Sequence, residues 1–308
     1  MAYSRVPMRE IIGLASPIHV TKFGDMIAKK QENDDKAKRA GRERSGKLSG
    51  GKMGKPTLWN VLDLIGVPDE DFESYLLGKF MRGNDVEARA INLLTGISMA
   101  RLYKLMEEDS TEPIRFKAPK GAVLNGEFTL QKKSGYRGGV GYIDITQHTL
   151  DGDIYHEIKS STKMAYDKVA ASGRSAKKKQ PDGSYAVGKP EPYYHHCLQL
   201  AYYCLGDKID RGFVHYFNAD DYRLTSFSIN PLDYKEELDK EIDDVDSVFL
   251  SKVMPAFEGY LDFHKIKDYW SYKVWNELTP QQMLDKLERS FPDQYKKLME
   301  TDLTKENK

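Results

Sequence analysis

Hydrophobic positions recur along this chain at two periods, and the switch between them separates its elements. From Thr57, "TLWNVLDLIG" puts Leu58, Val61, Leu62 and Ile65 on one helical stripe that stops at Gly66. "DEDFESYLLGKF" predicts a second short helix. "GNDVEARAINLLTGISMARLYKLMEE" predicts one or two more, with Val86, Ala90, Leu93, Leu94 and Ile97 at helical spacing and Asn84 or Asp85 as the cap. From about residue 113 to 160 the period falls to two. "AVLNGEFTLQ" alternates moderately, while "GVGYIDIT" and "DIYHEIKS" are clear strands joined by "QHTLDG" with its Asp-Gly turn. The polar stretch 163–192 predicts a long loop. "YYHHCLQLAYYCL" predicts a helix stopped by Gly206, and "GFVHYF" and "YRLTSFSI" two strands across "NADD". A long amphipathic helix follows on Leu238, Ile242, Val245, Phe249 and Val253, and a last helix runs from about Pro280 to Glu300. This order predicts an α/β fold, a mixed β-sheet flanked by α-helices.

The chain has 308 residues, room for one large domain or two modest ones. With 40% apolar and 31% charged residues its surface is strongly polar, and no apolar run approaches the roughly 20 residues of a membrane helix. The first residues carry no signal-peptide pattern, so the expected place is the cytoplasm. Cys197 and Cys204 are seven apart; on one helix they stand about 10 Å apart, too far for a disulfide, and read as buried thiols. The 47 acidic and 47 basic residues cancel, so net charge says nothing about nucleic acid, but the distribution does. Residues 29–55 are mainly basic. The organisation expected is a basic, partly flexible segment over 1–56, a core over 57–265 and a helical extension over 266–308.

The chemistry concentrates in "GYIDITQHTLDGDIYHEIKSS", Gly141 to Ser161. Strand alternation puts Tyr142 and Asp144 on one face, with Ile143 and Ile145 on the other. It puts Tyr155, Glu157 and Lys159 on one face and Ile154, His156 and Ile158 opposite. The turn brings Asp144 within about 5–8 Å of Glu157 and Lys159. Two carboxylates that close repel unless a cation lies between them. Asp144, Glu157 and the Ile158 carbonyl offer three oxygens to a hard divalent cation, and Lys159 is placed to orient a water and steady charge on a phosphate. A salt-bridge cluster on a half-exposed hairpin satisfies the same spacing.

Further motifs bear on that choice. "GYID" followed by "EIK" (Glu157–Lys159), "QLAYY" with Gln199 and Tyr203 on the next helix, and "RGNDVEARA" with Glu87 upstream stand in the order of the PD-(D/E)xK nuclease superfamily, and the chain resembles its RecB-like, phage-exonuclease branch. "KLSGGKMGKPTLW" is similar to that family's N-terminal lead-in. The resemblance covers roughly residues 48–230 and implies a restriction-endonuclease-like fold. It implies that Glu87, Asp144 and Glu157 bind Mg²⁺ or Mn²⁺, that Lys159 assists the chemistry, and that Gln199 and Tyr203 position the metal site or the nucleic-acid backbone. The expected activity is metal-dependent hydrolysis of DNA, by an exonuclease or end-processing enzyme. The alternatives are a binding module that holds nucleic acid without cutting it, and a structure-selective endonuclease or resolvase. The four-cysteine cluster of some relatives has no counterpart in a chain with two cysteines.

Lys177, Lys178 and Lys179 in the polar stretch offer salt-sensitive contacts to a DNA backbone. His195 and His196 open the Gln199 helix, where a helix-start hydrogen bond or a phosphate contact each fit. "GKLSGGKM" approaches a P-loop but has Met53 where Ser or Thr is required. Tyr269, Trp270, Tyr272 and Trp275 form an aromatic group that suits packing or base stacking.

Overall fold

A computed structural model of the chain describes residues 48–68, 74–107, 114–172, 177–179, 184–258, 272 and 274–301. Residues 29–47 of the basic stretch lie outside them, as do Tyr269 and Trp270. The chain divides into two compact units, residues 1–44 with 71–82 and residues 45–70 with 83–308. The second holds the sheet.

A single 3-10 turn, Gly50–Lys52, precedes α1 (Thr57–Ile65). Gly66 ends α1 in the left-handed region, and its amide donates back to Leu62 and Asp63. Next come α2 (Ser74–Thr95) and α3 (Met99–Glu107). Asn84 and Asp85 lie inside the continuous α2 and do not cap it, because nothing in "KFMRGNDVE" interrupts helical hydrogen bonding strongly enough to force a new start. Then follow β1 (Ile114–Lys117), β2 (Glu127–Ser134), β3 (Gly141–Thr149) and β4 (Gly152–Ser161). The stretch predicted as a loop contains α4 (Lys163–Val169) and a separate ribbon of β5 (Lys177–Lys179) and β6 (Tyr185–Val187). Thr162 caps α4. The last elements are α5 (Tyr194–Asp207), β7 (Gly212–Asn218), β8 (Leu224–Ile229), α6 (Lys235–Ser251), α7 (Pro280–Ser290) and α8 (Pro292–Glu300).

α6 ends two residues before Val253, which is exposed, because Lys252 takes a left-handed conformation at φ 59. The predicted last helix is two, because Pro292 has no N–H to donate and its ring disfavours a helical conformation at Phe291. α5 runs one residue past Gly206 and ends on Lys208 at φ 58.

The six-stranded sheet has the order β1-β2-β3-β4-β7-β8. β4 and β7 run parallel and every other neighbouring pair is antiparallel. One face buries Ile143, Tyr155, Val214 and Tyr216 against α5 and the first half of α6. The other buries Phe128, Leu130, Ile145, Ile158 and Phe217 against α2 and α3. A third core joins α1, the second half of α6, α7 and α8. α6 spans two cores, with Leu238 and Ile242 in one and Val245 and Phe249 in the other. The expected α/β architecture, a mixed sheet flanked by helices, is thus present. No described helix is long and apolar enough to cross a membrane. Cys197 and Cys204 are buried and form no disulfide.

Candidate active site

Asp144 occupies an irregularity that strand alternation does not announce. β2 and β3 pair Leu130 with Ile145 and Lys132 with Ile143. Between these pairs Gln131, opposite Asp144, has φ 54, a left-handed conformation rare outside glycine. The facing of side chains inverts across this point. Leu130 and Ile145 pack toward α2. Beyond it, Ile143 packs toward α5, Lys132 Nζ donates to the Tyr155 hydroxyl at 2.7 Å, and Ser134 Oγ donates to the Tyr203 carbonyl at 3.0 Å. Ile143 and Ile145 therefore do not share a face, contrary to the expectation from period two.

The same irregularity frees the end of β4. β3–β4 pairing stops at Ile145–His156. Where the next rung would form, Asp144 Oδ2 accepts the Ile158 N–H at 2.7 Å. A strand residue points its N–H and C=O to the same edge, so the Ile158 carbonyl faces this gap too.

Glu157 and Lys159 follow on the α5 side of β4, one residue apart across the pleat. Lys159 Nζ donates to Glu157 Oε1 at 2.6 Å and to Gln199 Oε1 at 2.8 Å, and Gln199 Nε2 donates to Glu157 Oε1 at 2.7 Å. The three side chains close a ring. An ammonium can only donate and a carboxylate can only accept, so one amide orientation satisfies both partners. Gln199 is thereby a clamp that fixes the spacing of the pair. Its neighbour Tyr203 is 2% exposed. The Tyr203 hydroxyl bonds Gln199, and the ring lies so close to two backbones that a Cβ built on Gly141 would stand 2.5 Å from it and one on Gly50 2.6 Å. The glycine of "GYID" and the first glycine of "SGGK" are thus required by close approach. Tyr203, expected with Gln199 to position the metal site or the nucleic-acid backbone, is buried beside Gln199. Gly141→Ala is expected to destabilise the protein by about 1–3 kcal/mol through overpacking, read as a lower urea midpoint at unchanged slope. An unchanged midpoint would contradict this packing.

Glu87 comes from the opposite side. Gly83 of α2 approaches Ser160 Oγ of β4, and Glu87 lies one turn further along the helix. Burial, then the charge of Glu157, push the Glu87 carboxyl up to about 7, although Lys159 opposes this. Asp144 is held well above the usual carboxylate range by burial first, then by Glu157 and Glu87. Burial works against the Lys159 ammonium, but Glu157, Asp144 and Glu87 more than offset it and raise its pKa. Three carboxyl groups thus share one ammonium in a poorly solvated pocket. Glu157 Oε2 is buried with no hydrogen-bond partner. Among the described residues no three His, Cys, Asp or Glu side chains stand ready-made around one metal position. By donor type, however, the site fits a hard divalent cation: three carboxyl groups against one ammonium, the Ile158 carbonyl at the gap, and the orphaned Glu157 Oε2.

The remaining candidates separate from this group. His196 Nδ1 lies 2.7 Å from the Tyr216 hydroxyl, and Tyr216 is the β7 partner of Lys159. Burial, followed by Lys159, keeps His196 neutral. Sequence reasoning missed Tyr216, and its place in an alternating strand gave no signal. Lys177, Lys178 and Lys179 lie on the separate ribbon. Lys52 of the P-loop-like stretch forms an ion pair with Asp63 at 3.3 Å, and Tyr272 and Trp275 are buried in the third core. No family model matches this chain. No curated protein matches it either. Among solved structures, one described as "Crystal structure of SSO0001" is 12% identical over 74% of this chain and 86% of that one, at a TM-score of 0.34.

Proposed function

We propose that the chain is a divalent-cation-dependent nuclease of the PD-(D/E)xK superfamily that hydrolyses DNA, acting from ends. One observation carries the reading: Glu157 is clamped by Lys159 and Gln199 while its other oxygen is left buried and unpartnered beside Asp144 and Glu87. A surface salt bridge needs neither the clamp nor the burial.

Glu87, Asp144 and Glu157, with the Ile158 carbonyl, would hold Mg²⁺ or Mn²⁺. When bound, the cation supplies a more acidic water and neutralises charge on the phosphate. The other contributions come from the chain. An ammonium has three hydrogens, and Lys159 spends two on Glu157 and Gln199. The third is available to a water or to a phosphate oxygen on which charge develops. Gln199 keeps the ammonium from collapsing onto Asp144, and Tyr203 holds Gln199 against rotation. Hydrolysis adds one water across a P–O bond, and the leaving oxygen takes up a proton. Cys197 and Cys204, buried and outside any disulfide, suit a reducing compartment, which supports the cytoplasm as the place of action.

The test is a digest of end-labelled linear and closed circular DNA with Mg²⁺ or with chelator, using wild type and Lys159→Ala. Wild type is expected to degrade the linear form only with metal, and the variant to lose at least about a hundredfold in rate. Undiminished cleavage by Lys159→Ala would sink the assignment. Degradation of circular DNA would favour an endonuclease on the same chemistry.

A further inference from the structure

Between Lys159 and Gln199 the chain makes an excursion whose ends are pinned together. The Glu191 amide donates to the Val169 carbonyl at 3.0 Å, and Ser172 bonds Asp167 through both its amide and its hydroxyl. From that base rises the β5–β6 ribbon, pairing Lys177 with Val187, Lys178 with Ala186 and Lys179 with Tyr185. It belongs to no described hydrophobic cluster. Tyr185 is 65% and Val187 57% exposed, and Lys177 and Ala186 are exposed as well. The register sets positions 177, 179, 185 and 187 on one face. A lone two-stranded ribbon is marginal in water, and exposed Tyr and Val on it add no packing.

Charge says what this ribbon would meet. The whole chain balances acid and base, yet residues 170–190 carry five basic side chains and one acidic. A two-stranded β-ribbon fits the major groove of a duplex, about 12 Å wide, where lysines reach phosphates and apolar side chains meet base edges. We infer that the β5–β6 ribbon is a groove-inserting arm that selects double-stranded DNA and holds it in register with the Glu157–Lys159–Gln199 site. This rests on the nuclease reading, because the arm leaves the fold between the strand and the helix that build that site.

The test uses the full chain with Asp144→Asn, so that DNA is bound and not cut. Affinity for a labelled duplex and for one of its strands is measured by fluorescence anisotropy over a salt series. Two further variants are made in this chain: Lys177→Ser/Lys178→Ser/Lys179→Ser and Tyr185→Ser/Val187→Ser. The lysine variant is expected to weaken duplex binding at least tenfold and to flatten the dependence of log affinity on log salt by about 2–3. The Tyr/Val variant is expected to lower the ratio of duplex to single-strand affinity several-fold with the salt slope unchanged. Circular dichroism and thermal midpoint should not move, since the ribbon joins no core. Unchanged duplex affinity in both variants, or an equal loss for duplex and single strand, overturns the inference. Failure of the underlying reading shows separately, as a wild-type chain that neither binds Mn²⁺ in calorimetry nor cleaves linear DNA.

Discussion

Replacing Asp144 by Asn is expected to reduce hydrolysis of linear DNA by at least about a thousandfold while making the metal-free protein more stable. The two effects have one cause. Asp144 is buried, and its carboxyl is held well above its ordinary range by burial, Glu157 and Glu87. Asn keeps an acceptor for the Ile158 N–H, so the local backbone has no reason to move. It removes a charge that is useful only when a cation shares it. Removing such a buried like charge should stabilise by about 1–3 kcal/mol. The pH dependence follows from the same groups. Their folded pKa values lie above the unfolded ones, so this contribution to stability is present at low pH and lost as pH rises through the folded values, about 7 for Glu87. Mg²⁺ should therefore raise the Tm of wild type more at about pH 8 than at about pH 6, and hardly affect Asp144→Asn. A variant that still cleaves, or whose metal-free Tm falls, would contradict the site.

The second large effect is acid lability from a buried histidine pair. His156 Nδ1 lies 2.9 Å from His215 Nε2, and the pair continues to Gln147 Oε1 at 3.1 Å and Ser226 Oγ at 2.7 Å. The rings stack, and Phe213 packs against both of them. Burial, then His215, lowers His156 to about 3; burial lowers His215 to about 4. Both lie below the unfolded value, so the stability they support is complete above that value and is lost as pH falls. Each costs about 1.4 kcal/mol per pH unit, on the order of 4 kcal/mol together by about pH 5. Urea midpoints measured at several pH values in the Asp144→Asn background separate this loss from the opposing carboxylate effect. His156→Gln, which keeps an amide for its neighbours, should flatten the slope by about one proton. Equal slopes in both chains would show that the pair is not held neutral.

These effects differ in how far the sequence announced them. Glu157 and Lys159 were legible because β4 is regular and its alternation holds through the site. Glu87 was legible only through the order of motifs, since α2 reaches β4 at Gly83 and Ser160 by a contact far apart in sequence. The histidine pair was not legible: His156 and His215 are 59 positions apart and meet only because β4 and β7 lie side by side. Alternation misassigned Ile143 and Ile145 because it assumes an unbroken pleat, and Gln131 carries no glycine or asparagine signal for its left-handed turn.

What the chain determined by itself was local: where hydrophobic period changes, where Gly66 and Pro292 end or break helices, and which residues of a regular strand such as β4 share a face. These depend on neighbours a few positions away, and the side chains that decide them are present in the sequence. Tertiary structure alone decided the rest. It turned Gln199 into a clamp on two charged partners, put Tyr203 inside against two glycine backbones, inverted the strand at Asp144, and left Glu157 Oε2 without a partner. Each depends on which strand lies beside which, and on how much water remains once the helices close over the sheet.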